Sequence, residues 1–162
     1  MALTWTPDRR RALALAAAIV VLDQATKWWV LTGPMNPPKV IEVTPFANLV
    51  LVWNRGVSFG MFNTGSEAGP WILAGVAIAV SIFLLVWLFR QDGRAFSLAV
   101  GAILGGAIGN VIDRFAHGAV ADFVDLHAFG YHWPAFNVAD SAITLGAAAL
   151  ILDSLFHRDK SL

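Results

Sequence analysis

The 162-residue chain has no cysteine and few charges. Without cysteine there is no thiol nucleophile, no disulfide framework, no thiolate zinc site and no iron–sulfur cluster. Charged residues make up 14% of the chain and apolar residues 57%, whereas soluble domains carry roughly 25% charge. A mean hydropathy of +0.65 points the same way. An ordinary water-soluble globule is excluded. Eleven basic and eleven acidic residues cancel, which removes any global electrostatic case for a nucleic-acid partner. The length is that of a single domain, residues 1–162.

What is present is long apolar runs. A helix needs about 20 residues to cross a hydrocarbon core. Residues 12–31, 70–89, 95–112 and 138–156 qualify, and Ser81 is the only hydrophilic residue of the second run apart from its two indoles. The first run follows Arg9, Arg10 and Arg11 and resembles a signal peptide, but its continuation DQATKWWVLTGP has no small-residue cleavage site. It reads as a retained helix. Four spans place both termini and the turn 90–94 on one side. Seven of the eleven basic residues gather there, so the positive-inside rule makes that side cytoplasmic. Segments 32–69 and 113–137 then lie outside. In the first, IEVTPF and NLVLVWN are β-branched and bounded by turn residues, which predicts a small extracytoplasmic sheet. The second sets Phe115, Phe123, Phe129, Tyr131, Trp133 and Phe136 among polar residues, as a chain at the membrane interface does. The fold class is therefore a mainly α membrane protein with four transmembrane helices, a small outer sheet and an interfacial segment.

Polar groups near a bilayer need a partner or a task. Seven carboxylates fall at or beyond the outer face: Asp23, Glu42, Glu67, Asp113, Asp122, Asp125 and Asp140. Glu42 and Glu67 read as solvated loop charge. Asp23 and Lys27 are one helical turn apart, either as an ion pair or as part of a site. Asn110 and Arg114 share a face, and the guanidinium can fork to a carboxylate and hold a loop. Gly101, Gly105, Gly106 and Gly109 form a stripe that admits a close helix neighbour. With Asn137 as an N-cap, Asp140 occupies the third helical position and completes a capping box. Asp122 lies in the apolar run VADFVD, which raises a carboxyl pKa. Two aspartates at one face can share a proton and activate water. His117, His127 and His132 lack ligand spacing, so no metal and no cofactor are expected. These considerations leave the choice among the seven carboxylates open.

Five motifs in order resemble the lipoprotein signal peptidases (signal peptidase II), bacterial membrane aspartyl peptidases. They are Asp23-Gln24-Ala25-Thr26-Lys27, Asn54-Arg55-Gly56-Val57-Ser58-Phe59-Gly60, the decapeptide Gly105 to Arg114, Gly118 to Phe123, and Phe136-Asn137-Val138-Ala139-Asp140. Ser58 departs from the family's frequent alanine. The resemblance implies that Asp122 and Asp140 form the catalytic dyad and that Asp125 is a bystander. It implies supporting roles for Asp23, Lys27, Asn54, Gly56, Asn110, Asp113, Arg114 and Asn137. It also implies an extracytoplasmic β-cradle and a mobile interfacial helix. The implied substrate is a prolipoprotein with diacylglyceryl on its cysteine, cleaved just before that cysteine, with globomycin-type cyclic peptides as inhibitors. Membrane lipids are the remaining partner, and a monomer in the bacterial inner membrane with its site near the outer face is expected. An ion transporter usually carries its acidic residues at mid-span, and a scaffold leaves Asp122 and Asp140 without a task.

Overall fold

The computed structural model describes residues 5–56 and 68–157. Its elements run α1 (Pro7–Thr32), β1 (Ile41–Thr44), β2 (Ala47–Asn54), α2 (Gly69–Arg90), α3 (Arg94–His117), β3 (Val120–Ala128), β4 (Tyr131–His132) and α4 (Val138–His157). All four helices are long and apolar enough to span a membrane. The Val57-Ser58-Phe59-Gly60 part of the second motif, Glu67 and the basic residues Arg158 and Lys160 lie outside the described residues.

Helix α1 begins where Thr6 Oγ1 accepts from Arg9 N–H at 3.3 Å, with Pro7 in the first turn. Proline there loses no hydrogen bond, because the first N–H groups of a helix have no partner within it. The helix thus starts five residues before the apolar run and takes in the three arginines. Arg9 is not a solvated flank: it is 4% exposed, donates to Leu88 O at 3.1 Å and pairs with Asp92 at 3.0 Å. It covers carbonyls at the end of α2, where a helix dipole favours a cation.

Helix α3 is the central post. Sixty-one per cent of its most apolar window is buried, against 17–22% for the other three helices. Its glycine stripe explains why. A Cβ at Gly101 would fall 2.4 Å from Ala12 O on α1, and one at Gly106 would fall 2.4 Å from Ala139 O on α4. Both contacts are with backbone, which cannot swing aside, so only glycine permits these approaches. The outward faces of the other helices remain apolar; Ile72, Val76, Ile82 and Phe83 of α2 are exposed, as lipid-facing residues are.

Helix α3 runs to His117, five residues past the apolar run, and stops at Gly118 in the left-handed conformation (φ 66°). Asp113 and Arg114 therefore belong to its last turns and not to an outer loop. The chain then enters β3, a central strand of an antiparallel sheet ordered β1-β2-β3-β4. The expected strands β1 and β2 are present; β3 is additional, formed from the segment whose aromatic content marks the interface. Val52 pairs with Asp122, Asn54 with Val120 and Asn48 with Asp125. Beneath the sheet, Phe123 packs with Val30 and Met35, fixing the sheet to the end of α1.

Candidate active site

Two carboxylate clusters meet at the junction of α1, α3, α4 and the sheet. The first is built around an ammonium group. Lys27 Nζ lies 2.8 Å from Asp23 Oδ2 and 2.9 Å from Asp113 Oδ2. It donates also to Asn110 Oδ1 at 3.2 Å. Asp23 is 0%, Lys27 3% and Asp113 3% exposed. Burial of two carboxylates with one ammonium is tolerable only because other donors complete the set. Asp23 Oδ1 accepts from Ala139 N–H at 2.9 Å, in the first turn of α4. Asp113 accepts from Ala121 N–H at 3.0 Å, at the start of β3, and from Gln24 Nε2 at 2.9 Å. Gly109 makes room for this cluster, since a Cβ there would fall 2.6 Å from Asp23 Oδ2. The Asp23–Lys27 ion pair is thus also a bracket that fixes the elements bearing Asp122 and Asp140.

The second cluster holds its carboxylates with amides. Asn137 caps α4 through Oδ1, which accepts from Asp140 N–H at 2.9 Å, and Asp140 Oδ2 accepts in return from Asn137 N–H at 3.3 Å. This is the reciprocal capping box expected from the spacing. The same Asn137 donates through Nδ2 to Asp122 Oδ1 at 2.7 Å. Asn110 Nδ2 donates to Asp140 Oδ1 at 2.8 Å, and Asn54 Nδ2 to Asp122 Oδ2 at 3.0 Å. Asn54 is itself held by Gly56 N–H, which donates to its Oδ1 at 3.1 Å. One N-cap residue therefore binds both aspartates, although they stand 18 residues apart in the sequence.

Asp122 is 2% exposed and Asp140 half-buried. Burial, and next the neighbouring charge of Asp140, raise the Asp122 carboxyl to about 7 against the hydrogen bonds from Asn54 and Asn137. Such a group holds its proton near neutrality. Among the described residues Arg114 forks to no carboxylate. Its Nη1 donates to Asn110 O at 3.3 Å, while its buried Nε has no hydrogen-bond partner among the described residues. Its guanidinium nevertheless interacts electrostatically with Asp140, Asp113 and Asp122.

Asp125 is three residues from Asp122 and belongs elsewhere. Asn48 Nδ2 donates to it at 2.9 Å, and His132 Nδ1 lies 2.9 Å away. Burial pushes its carboxyl up, but the bonds from Asn48 and His132 outweigh this and leave it below the ordinary value. His132 stacks on His127 with ring centroids 4.9 Å apart. Gln24, Asn48 and His132 carry no distinguishing sequence signal for these contacts, because each partner comes from a distant element or across a turn. Among the described residues, no three His, Asp or Glu side chains are grouped to hold a metal ion.

An open groove of about 620 Å³ starts at Asp140 and runs along α4 past Thr144 to Leu145, with Trp133 and Phe136 forming part of the facing wall.

The chain has relatives among known proteins. The family model for signal peptidase (SPase) II matches residues 15–156. The chain belongs to the lipoprotein signal peptidase family. A lipoprotein signal peptidase of Methylobacterium sp. (strain 4-46) is 49% identical over 145 residues, covering 89% of this chain and 88% of the relative. One from Methylorubrum extorquens (strain PA1) is 48% identical, covering 90% and 86%. Among solved structures, a bacterial membrane enzyme determined in meso at 2.3 Å superposes with a TM-score of 0.81 at 31% identity, covering 94% of this chain and 92% of that one. This member of the lipoprotein signal peptidase family is thus a multi-pass bacterial membrane protein and a peptidase.

Proposed function

We propose that the chain is an aspartic endopeptidase that removes the signal peptide from diacylglyceryl-modified prolipoproteins, cutting just before the lipidated cysteine, with Asp122 and Asp140 as its catalytic residues. The observation that carries this reading is the single residue Asn137 bonded to both carboxyl groups, one of them raised to about 7. Two like charges so held resist double ionisation, and the pair keeps one proton between them.

The ionised member takes a proton from water, and the resulting hydroxide attacks the scissile carbonyl. The protonated member donates to the developing oxyanion, giving a gem-diol. Collapse returns a proton to the departing amine and restores the pair. The proton belongs to the pair, so base and acid are roles and not fixed residues. Arg114 offsets the negative charge of the carboxylates. Asn54 and Gly56 hold Asp122 from the sheet side, and Asp23, Lys27 and Asp113 fix the supporting elements. The basic side of the membrane is taken as cytoplasmic, with both termini there and the dyad near the outer face. A globomycin-type cyclic peptide inhibits by occupying the dyad.

The experiment is cleavage of a purified precursor in mixed micelles, read by mass spectrometry. The expected result is one cut immediately before the cysteine of the diacylglyceryl-modified precursor and none in its unlipidated form. Equal cleavage of both forms, or a cut at another bond, contradicts the proposal.

A further inference from the structure

The groove beside Asp140 has a chemistry of its own. Its α4 side presents Asp140, Ser141, Thr144 and Leu145, which lie on neighbouring helical rows. Leu145 is about 7–8 Å farther along the helix axis than Asp140, within a span apolar enough to cross the membrane. Trp133 and Leu145 are 56% and 71% exposed. The groove is therefore open along a helix apolar enough to cross a membrane.

Several backbone groups of its opposite wall are already engaged. Trp133 N–H donates to Leu126 O at 2.7 Å, and Phe136 N–H to Val124 O at 3.0 Å. Phe136 O already accepts from Phe123 and Val124, while Pro134 has no N–H. An extended peptide at membrane depth needs its own amides satisfied, and these committed groups cannot supply partners. Ser141 Oγ is likewise engaged, donating to Asn137 O at 3.0 Å. A hydrocarbon chain makes no such demand. Charge narrows the choice further. Among the described residues the only ionisable one in the lining is Asp140, which repels a phosphate and is indifferent to a neutral glyceride.

We propose that this groove seats one acyl chain of the substrate's diacylglyceryl group, with Trp133, Phe136 and Leu145 as its specificity-determining contacts. The inference rests on the prolipoprotein reading above and deepens it. A chain held beside Asp140 positions the neighbouring lipidated cysteine, and so the bond just before it, against the dyad. Discrimination for lipidated precursor is then a matter of position as well as of membrane anchoring.

The test is steady-state cleavage of precursors carrying two hexadecanoyl or two butanoyl chains, by the parent protein, Leu145→Trp and Ile82→Trp. Ile82 is an exposed residue of α2 that does not line the groove. Leu145→Trp should raise KM about tenfold for the long-chain precursor and less than twofold for the short-chain one, with kcat within twofold. Ile82→Trp should change neither. An equal change for both chain lengths, or a change that follows the signal-peptide sequence instead, overturns the proposal. The unaltered protein provides a second reading. A precursor with a diazirine near the end of its acyl chain should label the segments containing Trp133 or Leu145. Labelling elsewhere, or equal labelling of these segments by a diazirine phospholipid that precursor does not displace, also overturns it. If the parent protein cleaves no precursor at all, the failure belongs to the proposed function and not to the groove.

Discussion

The two carboxylate clusters share a junction, a degree of burial and even a residue, yet they hold charge in opposite ways. Around Lys27, two aspartates share one ammonium within 2.9 Å. Around Asn137, two aspartates are bound by amides, which direct oxygens but cancel no charge. Asn110 joins them with one side chain: its Oδ1 accepts from Lys27, and its Nδ2 donates to Asp140. The cation ties its partners, and the elements that donate to them, into one cluster. The amide-held pair has a cation nearby as well, but Arg114 acts on it through charge while its Nη1 donates to Asn110 O. The difference separates an ion-paired cluster from an amide-held one within a few side chains.

The largest effect should come from removing one member of the amide-held pair. Asp122→Asn and Asp140→Asn are each expected to lower kcat/KM by about 10³-fold or more, measured on lipidated precursor, while the variants remain folded in detergent. Cleavage at parental rates by either variant would put the chemistry elsewhere. Next, Lys27→Met strands two buried carboxylates, so equilibrium unfolding should register a loss of about 3–5 kcal/mol. A smaller loss than Asp122→Asn shows would reverse the assignment of scaffold and chemistry. Asn137→Ala breaks the link between the aspartates; turnover should fall about 10²-fold, whereas the lost cap costs only about 1 kcal/mol. Asp125→Asn should leave kcat/KM within about threefold of the parent. Loss of turnover there would mean that the sheet's other aspartate is the catalytic one.

Stability against pH sharpens the same contrast. Folded Asp122 keeps its proton up to about 7, whereas the ordinary carboxyl value is 3.8. The folded state therefore binds more protons between these values, and the contribution of Asp122 to stability is lost as pH rises through that window. Asp125, held below its ordinary value, contributes stability that is lost as pH falls. Asp122→Asn should flatten the neutral slope, and Asp125→Asn the acid one.

Much of this was legible in the chain. The four spans follow from apolar runs, β1 and β2 from β-branched segments, and the Asn137–Asp140 capping box from a spacing of three. Strand β3 was not legible, because Val120, Ala121, Asp122 and Phe123 are all buried and no alternation marks a face. The Asp23–Lys27 pair is visible at one helical turn, but its third partner, Asp113, is brought from α3 by the glycine stripe. Arg9 looked like a flanking charge until the end of α2 packed on it. The choice of Asp122 over Asp125 needed the resemblance in the sequence. In the fold their partners differ, Asn137 and Asn54 for one and Asn48 and His132 for the other.

The central claim is that Asp122 and Asp140 share a proton, and the direct measurement is the titration of the Asp122 carboxyl by carbon-13 NMR in the parent and in Asp140→Asn. The account predicts a midpoint near 7 in the parent and a clear fall once the charge of Asp140 is gone. An Asp122 carboxyl that titrates at its ordinary value in the parent, or does not move in the variant, would contradict it.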